Sequence, residues 1–217
     1  MLHRLIEYAC RQIPWLAVFH AAALGDGQSC IVLPGLGGSG KTTLAAALAQ
    51  SGFKYLGDET IPLRRDNGRI VPIPGPLCLK PGSWPALAAY YPMLDAWPIY
   101  HRWGQPVRYL LPRPTDPDRC WPVRNLIFPR YVPGGATVLQ PIRATMALQY
   151  LMAADTLLPQ PLMPTDANAF IAWLGEVPAY TLTYDHLTEA VAAVRGLIMN
   201  QSSGPDLKEN HDDFTKF

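Results

Sequence analysis

The sequence has few cysteines and no strong excess of charge of either sign, and both absences exclude classes of protein. Its cysteines, Cys10, Cys30, Cys78 and Cys120, are far apart and form no CxxC pair, which argues against a zinc site or a disulfide framework. The net charge of +1 comes from scattered lysines and arginines. A nucleic-acid-binding protein usually carries a basic patch, so we expect no nucleic-acid partner.

Long apolar runs are missing as well. The stretch from Trp15 to Leu24 is among the longest, and His20 interrupts it well short of the ~20 residues that span a bilayer. Glu7 lies among the apolar residues near the start, and no clear cleavage pattern follows. We therefore expect neither a membrane partner nor a signal peptide, and a cytoplasmic location.

The length and composition favour one folded unit. With 217 residues, of which 49% are hydrophobic, the chain can bury one substantial core. We expect a single domain over residues 1–200. Residues 201–217 are polar and mixed in charge, and are expected to form a flexible tail.

The segment Gly35-Leu36-Gly37-Gly38-Ser39-Gly40-Lys41-Thr42 has the spacing of a phosphate-binding loop. Glycines let the backbone wind closely around an anion, so that successive N–H groups face the phosphates. Lys41 is predicted to reach the β- and γ-phosphates, and the Thr42 hydroxyl to bind Mg²⁺. The predicted nucleotide-binding residues are Gly35, Gly37, Gly38, Ser39, Gly40, Lys41, Thr42 and Thr43. A glycine-rich turn that merely connects two elements is the alternative.

The flanking residues support the loop. Cys30 to Leu33 is a short apolar run typical of a buried strand, and Thr43 to Gln50 is rich in alanine and leucine, with Gly52 placed to end a helix. Residues 17–24 are predicted to form one strand of a hairpin that turns at Gly25-Asp26-Gly27. The pattern predicts an α/β fold.

Two consecutive acids, Asp58 and Glu59, follow the next predicted strand, Phe53 to Leu56. Phosphoryl transfer to an alcohol needs one carboxylate to accept the hydroxyl proton and another to hold the metal ion. The carboxyl end of a strand is where ligands gather in open α/β sheets. In isolation, a solvated acidic turn is the commoner interpretation of such a pair.

Later elements are less regular. Twelve prolines lie between Pro72 and Pro122, which predicts long ordered loops with short strands. Further predicted elements are a helix over 2–13, strands over 123–128 and 136–139, and helices over 144–158, 166–174 and 186–199.

The stretch GLGGSGKTTLAAALAQSGFKYLGDE, with His20 in the strand before it, resembles the core of the HPr kinase/phosphorylase family over residues 19–63. The resemblance implies a mixed sheet with flanking helices, ATP and Mg²⁺ as cofactors, and often a homo-oligomer. It implies that Asp58 is the catalytic base, Glu59 a metal-site carboxylate and His20 an active-site neighbour. Compact relatives phosphorylate a serine hydroxyl at the end of lasso-peptide precursors, and this chain looks like that type.

Further cations are expected to stabilise the transferring phosphoryl group. Arg124, Arg130 and Arg143 are candidates, and Arg130 is preferred because prolines and glycines around it predict a shaped loop. A solvated loop arginine is the common alternative. Lys80 is a second-rank candidate, for which a surface lysine at a strand end is the favoured alternative. A hydrogen-bonded core histidine is the alternative for His20.

These observations predict an ATP-dependent, magnesium-requiring kinase acting on a serine-type hydroxyl of a peptide or small protein. The alternatives are a small-molecule kinase and a nucleotide-dependent regulatory or binding module. The sequence contains no NKxD run that would read guanine, so ATP is favoured through the family resemblance.

Overall fold

The computed structural model describes residues 15–113, 115–116 and 118–202. The predicted helix over 2–13 and residues 203–217 of the predicted tail lie outside the described residues. Within them, a nine-stranded mixed sheet carries helices on both faces, and a separate three-stranded sheet lies beside it. The predicted α/β fold class is confirmed.

The strands, in chain order, are β1 (Trp15–Phe19), β2 (Ala21–Gly25), β3 (Cys30–Pro34), β4 (Lys54–Gly57), β5 (Ile61–Arg64), β6 (Arg69–Ile70), β7 (Leu77–Leu79), β8 (Tyr100–Arg102), β9 (Gln105–Leu110), β10 (Trp121–Tyr131), β11 (Val138–Ile142) and β12 (Ala179–Tyr184). The helices are α1 (Lys41–Gln50), α2 (Trp84–Leu87), α3 (Ala144–Ala153), α4 (Pro164–Glu176) and α5 (Leu187–Ser202). Short 3₁₀ turns cover Pro81–Ser83 and Leu94–Ala96.

The strand directions place four strand ends at one edge of the large sheet. Strands β3, β10 and β12 run parallel to one another. Strand β2 is antiparallel to β3 and also to β4, so β4 runs in the same direction as β3. The segments that follow β3, β4, β10 and β12 therefore meet at the same edge, which is where an open α/β sheet binds its ligands.

The large sheet is buried on both faces, which explains why its central strands are continuous apolar runs. Ile31 and Leu33 of β3 pack in the core that contains α1 and α5, whereas Cys30 and Val32 point to the core that contains α3 and α4. Ala45, Ala46 and Ala47 of α1 are fully buried, and their small side chains let the helix approach the sheet closely.

The small sheet has the order β7-β9-β8 and occupies the proline-rich part of the chain, where short strands are predicted. Leu77, Leu79 and Leu110 extend the core beneath α1. Since side chains alternate along a strand, Cys78 and Val107 point to the other face of this sheet. That face turns towards the sheet edge described above.

Two sequence predictions about elements are wrong, and one strand was not predicted. The single strand predicted over 17–24 is two strands with a bend at His20: β1 pairs with β5, whereas β2 pairs with β3 and β4. Helix α3 ends at Ala153, five residues early, because Leu157 exchanges backbone hydrogen bonds with Val18. Strand β12 is missing from the prediction altogether.

None of the helices in the described stretches has both the length and the apolar character required to cross a bilayer.

Candidate active site

The phosphate-binding loop, residues 35–42, leads from β3 into α1. Gly38 and Gly40 have φ angles of 86° and 92°, a region that side chains rarely adopt. Gly40 is the N-cap of α1, and no side chain caps the helix start. The first N–H groups of α1 therefore keep their hydrogen-bonding capacity for an anion.

Two other strands fix the shape of this loop. The Tyr184 hydroxyl, at the end of β12, donates a hydrogen bond to the carbonyl oxygen of Gly40 at 3.2 Å. The Tyr131 N–H, at the end of β10, donates to the carbonyl oxygen of Ser39, also at 3.2 Å. A Cβ atom built on Gly40 would lie 2.2 Å from the Tyr184 hydroxyl oxygen, whereas one built on Gly37 would meet nothing within 4 Å.

We expect Gly40→Ala to affect mainly the stability of the fold and Gly37→Ala to affect mainly nucleotide binding. Gly40→Ala combines a positive φ with a collision against Tyr184, so it is expected to lower the free energy of unfolding by about 2 kcal/mol. Gly37→Ala is expected to leave that free energy within about 0.5 kcal/mol and to weaken nucleotide binding instead. Urea unfolding measures the free energy of unfolding, and calorimetric titration with ATP measures the affinity for the nucleotide. Equal destabilisation by the two variants would contradict this division.

The acidic pair follows β4 directly. The Thr42 hydroxyl donates a hydrogen bond to Asp58 Oδ2 at 2.9 Å, which joins the start of α1 to the end of β4. Asp58 Oδ1 is buried and has no hydrogen-bond partner among the described residues. Burial, together with the charge of Glu59, raises the pKa of Asp58 to about 6, although Lys41 and Thr42 act in the opposite direction.

The pKa of Glu59 is lowered, whereas that of Asp58 is raised. Its Oε2 lies 3.4 Å from His20 Nε2. The hydrogen bond from His20, with help from the charges of Lys41 and Arg102, lowers the pKa of Glu59 to about 2. Glu59 also has a φ of 73°, which is uncommon for a residue with a side chain and tends to occur at functional sites.

A cavity of about 660 Å³ adjoins the loop and Glu59, whereas Asp58 is not among the residues that line it. The loop, Lys41, Thr42, Glu59 and His20 form one wall. The opposite wall belongs to the small sheet and the turn after β7, and is formed by Cys78, Lys80, Gly82, Ser83, Ala86, Arg102, Trp103, Gln105 and Val107. Tyr131, Tyr184, Asp185 and Leu187 complete the lining at the β10 and β12 ends.

No protein-family model matches the chain, and a comparison with curated proteins finds no match. A solved structure does match. It is the Hpr(Ser) kinase/phosphatase from Coxiella burnetii, with 15% sequence identity and a TM-score of 0.38, over 85% of this chain and 98% of that one. At this identity and TM-score the similarity carries no argument about function, which we therefore seek in the residues of the site.

The structure brings most of the predicted site residues together. Gly37, Gly38, Gly40, Lys41, Thr42, Thr43, Glu59 and His20 line the cavity. Lys41 is 5% exposed, so its ammonium group is largely shielded from bulk water. Asp58 lies directly behind Thr42. Gly35 and Ser39 lie behind the lining, where a Cβ on Gly35 would stand 2.5 Å from Ser39 Oγ.

The predicted arginines lie elsewhere. Arg130 is exposed at the end of β10 and is not part of the cavity lining, so its role stays a prediction. Arg124 forms an ion pair with Asp26 at 3.2 Å, at the turn between β2 and β3. Arg143 precedes α3 and is exposed. Both Arg124 and Arg143 lie towards the opposite edge of the sheet, because Asp26 precedes β3 and Ile142 pairs with the first residue of β12.

The sequence interpretation gave Arg102 no role at the phosphates, and it missed the end of β12. The segment AYTLTY of β12 alternates small or apolar residues with threonine and tyrosine, which is a strand pattern that could have revealed it. Arg102 ends β8, and Trp103 and Gly104 form the two-residue hairpin turn that follows it. Nothing local indicates that this hairpin faces the phosphate-binding loop.

Within the described residues, no group of three or more His, Cys, Asp or Glu side chains could hold a metal ion by itself. Magnesium is usually bound through one or two carboxylates together with substrate phosphates and water. Thr42 and Glu59 fit that mode, because both line the cavity beside the loop and both offer oxygen donors.

Proposed function

We propose that this chain is an ATP- and magnesium-dependent phosphotransferase that moves the terminal phosphoryl group of ATP to a serine-type hydroxyl of a peptide or small protein. The observation that carries the proposal is the Thr42–Asp58 hydrogen bond of 2.9 Å. It places a carboxylate at the point where the phosphate-binding loop becomes a helix. A carboxylate there is next to the place where the loop would hold the terminal phosphates.

The loop and Lys41 are proposed to hold the triphosphate. The uncapped start of α1 offers N–H donors, and the helix dipole adds positive potential at the same place. The ammonium group of Lys41 is almost completely shielded from water and lines the same cavity. Since an ion pair strengthens as water is excluded, Lys41 is suited to bind the β- and γ-phosphates.

Thr42 and Glu59 are proposed to hold magnesium. Glu59 keeps its negative charge far below neutral pH, because His20 and the nearby cations lower its pKa to about 2. A permanently ionised carboxylate and a hydroxyl are the oxygen donors that this cation takes. When bound, magnesium would neutralise the negative charge of the phosphates.

Asp58 is proposed to accept the proton of the acceptor hydroxyl. A carboxylate with a pKa of about 6 is mostly ionised at pH 7 and yet binds a proton more readily than an exposed aspartate. In the transfer, the hydroxyl oxygen forms a bond to the γ-phosphorus, the bond from that phosphorus to the β–γ bridging oxygen breaks, and the hydroxyl proton passes to Asp58. ADP and a phosphoester are the products.

The mouth of the cavity favours a peptide as the acceptor. Trp103 is 85% exposed and Tyr100 is 51% exposed on the hairpin that forms one wall. Exposed rigid aromatic side chains supply contact area at a low cost in conformational entropy. A peptide with its serine near one end, such as a lasso-peptide precursor, could insert the hydroxyl while its other residues contact these rings.

We expect the purified chain to transfer radioactive phosphate from γ-labelled ATP to serine-containing peptides when Mg²⁺ is present. The product should be a stable phosphoester on the serine, identified by mass spectrometry. The matched control is the same peptide with that serine replaced by alanine, which should remain unlabelled. Labelling only of small hydroxylated metabolites would indicate a small-molecule kinase, and nucleotide-dependent association without a phosphorylated product would indicate a regulatory module.

A further inference from the structure

Arg102 is held in a defined position by the hairpin that carries it. It is the last residue of β8 and pairs with Gln105 of β9 across a two-residue turn. The turn residues, Trp103 and Gly104, have φ angles of 49° and 77°, the combination expected of a tight type I′ hairpin turn. The Arg102 guanidinium carbon lies 4.4 Å from the centre of the Trp103 ring, which supports it from one side.

The charge of Arg102 interacts with that of Glu59, but the two side chains do not form a direct ion pair. Among the described residues, no carboxylate oxygen lies within 4 Å of Arg102. Two other arginines with little exposure do have such a partner: Arg108 pairs with Asp95 at 3.0 Å, and Arg124 with Asp26 at 3.2 Å. A partly buried arginine without an acidic partner is suited to bind an anionic ligand.

The position of Arg102 indicates which anion it meets. It lines the same cavity as Lys41, Thr42 and Glu59, but from the opposite wall. A phosphate held by the phosphate-binding loop would therefore share the cavity with both Lys41 and Arg102.

We propose that Arg102 is a catalytic residue that contacts the γ-phosphoryl group during its transfer, an inference that rests on the proposed function. Negative charge is spread over the oxygens of the transferring group, and a fixed cation beside them stabilises the transition state. The planar guanidinium can donate to two phosphate oxygens at once. Arg102 thus has the role for which Arg130 is the sequence-based candidate.

The test compares Arg102→Gln with Arg113→Gln, an exposed arginine outside the cavity lining. Calorimetric titration with ADP and with a non-hydrolysable ATP analogue measures how strongly each protein prefers the γ-phosphate. We expect Arg102→Gln to bind ADP within about twofold of the unmodified chain, but to lose about tenfold of the preference for the analogue. Turnover with the acceptor peptide should fall by about a hundredfold or more. Arg113→Gln should leave all three values unchanged.

Several outcomes would overturn the inference. An unchanged analogue-to-ADP ratio in Arg102→Gln would show that the side chain does not contact the γ-phosphate, and a rise in the KM for the peptide alone would assign it to acceptor binding. If the unmodified chain bound neither nucleotide, the proposed function would fall together with the inference. Should Arg102→Gln not fold, Arg102→Lys decides the matter: turnover reduced by about tenfold supports a bidentate contact, and unchanged turnover contradicts it.

Discussion

Replacing Asp58 by asparagine is expected to abolish phosphoryl transfer while making the folded chain more stable at pH 7. Asparagine has nearly the same shape, and its carbonyl oxygen can still accept the hydrogen bond from Thr42. It cannot accept the hydroxyl proton, so turnover should fall by at least about a thousandfold, whereas ATP affinity should change little. Labelled-ATP assays and calorimetric titration measure the two quantities.

The gain in stability follows from the raised pKa of Asp58. Because the folded-state pKa is about 6 and the ordinary value is 3.8, the folded state binds more protons than the unfolded state between these pH values. Stability is therefore lost as the pH rises from about 4 to about 6, and the full cost is present above that range. Asparagine carries no charge at any of these pH values, so it avoids this cost.

The size of the effect and its pH dependence can be measured by urea unfolding. The shift corresponds to at most about 3 kcal/mol at pH 7, and the advantage of Asp58→Asn should shrink towards zero near pH 4. Glu59→Gln is the matched control, because its pKa is shifted in the opposite direction, and it should destabilise the chain at pH 7. If Asp58→Asn retained transfer, Asp58 would not be the proton acceptor.

Replacing Lys41 by alanine is expected to remove nucleotide binding and turnover together. The ammonium group is shielded from water beside the start of α1, so its contact with the phosphates is a charge-assisted interaction in a weakly screened site. We expect ATP affinity to fall by about a hundredfold and turnover to fall below detection. Calorimetric titration with ATP and the labelled-ATP assay measure these changes.

Lys54→Ala is the control for the Lys41 variant. Lys54 is an exposed lysine at the start of β4, outside the cavity lining, so its removal lowers the net charge equally without touching the site. It should leave ATP affinity within about twofold. An ATP titration of Lys41→Ala that matched the unmodified chain would disprove the assignment of the loop.

The parts of the site that are local in the chain could be predicted from the sequence. The phosphate-binding loop and the acidic pair are defined by short segments, and their meeting follows from the rule that parallel strand ends share one edge. The hydrogen bond between Thr42 and Asp58 fits that expectation. The opposite pKa shifts of Asp58 and Glu59 could not be predicted, because they depend on burial and on the hydrogen bond from His20.

The opposite wall of the cavity could not be predicted, because it depends on how distant segments pack. Arg130 is close in sequence to glycines and prolines typical of a functional loop, yet it points away from the cavity lining, whereas Arg102 reaches the cavity through the folding of the small sheet. The bend at His20 is also a tertiary effect. It arises where β1 leaves β2 and pairs with β5, and hydrophobicity along the chain does not record that change of partner.

The hydrogen bond between Tyr184 and Gly40 joins residues that are 144 positions apart. The loop is encoded early in the chain, but its shape is completed by a residue that the ribosome adds much later. During synthesis, helix α1 and its neighbouring strands can therefore assemble before the phosphate-binding loop has its final shape. Contacts between distant segments form slowly. A nascent chain should thus become able to bind ATP only after β12 has emerged and docked.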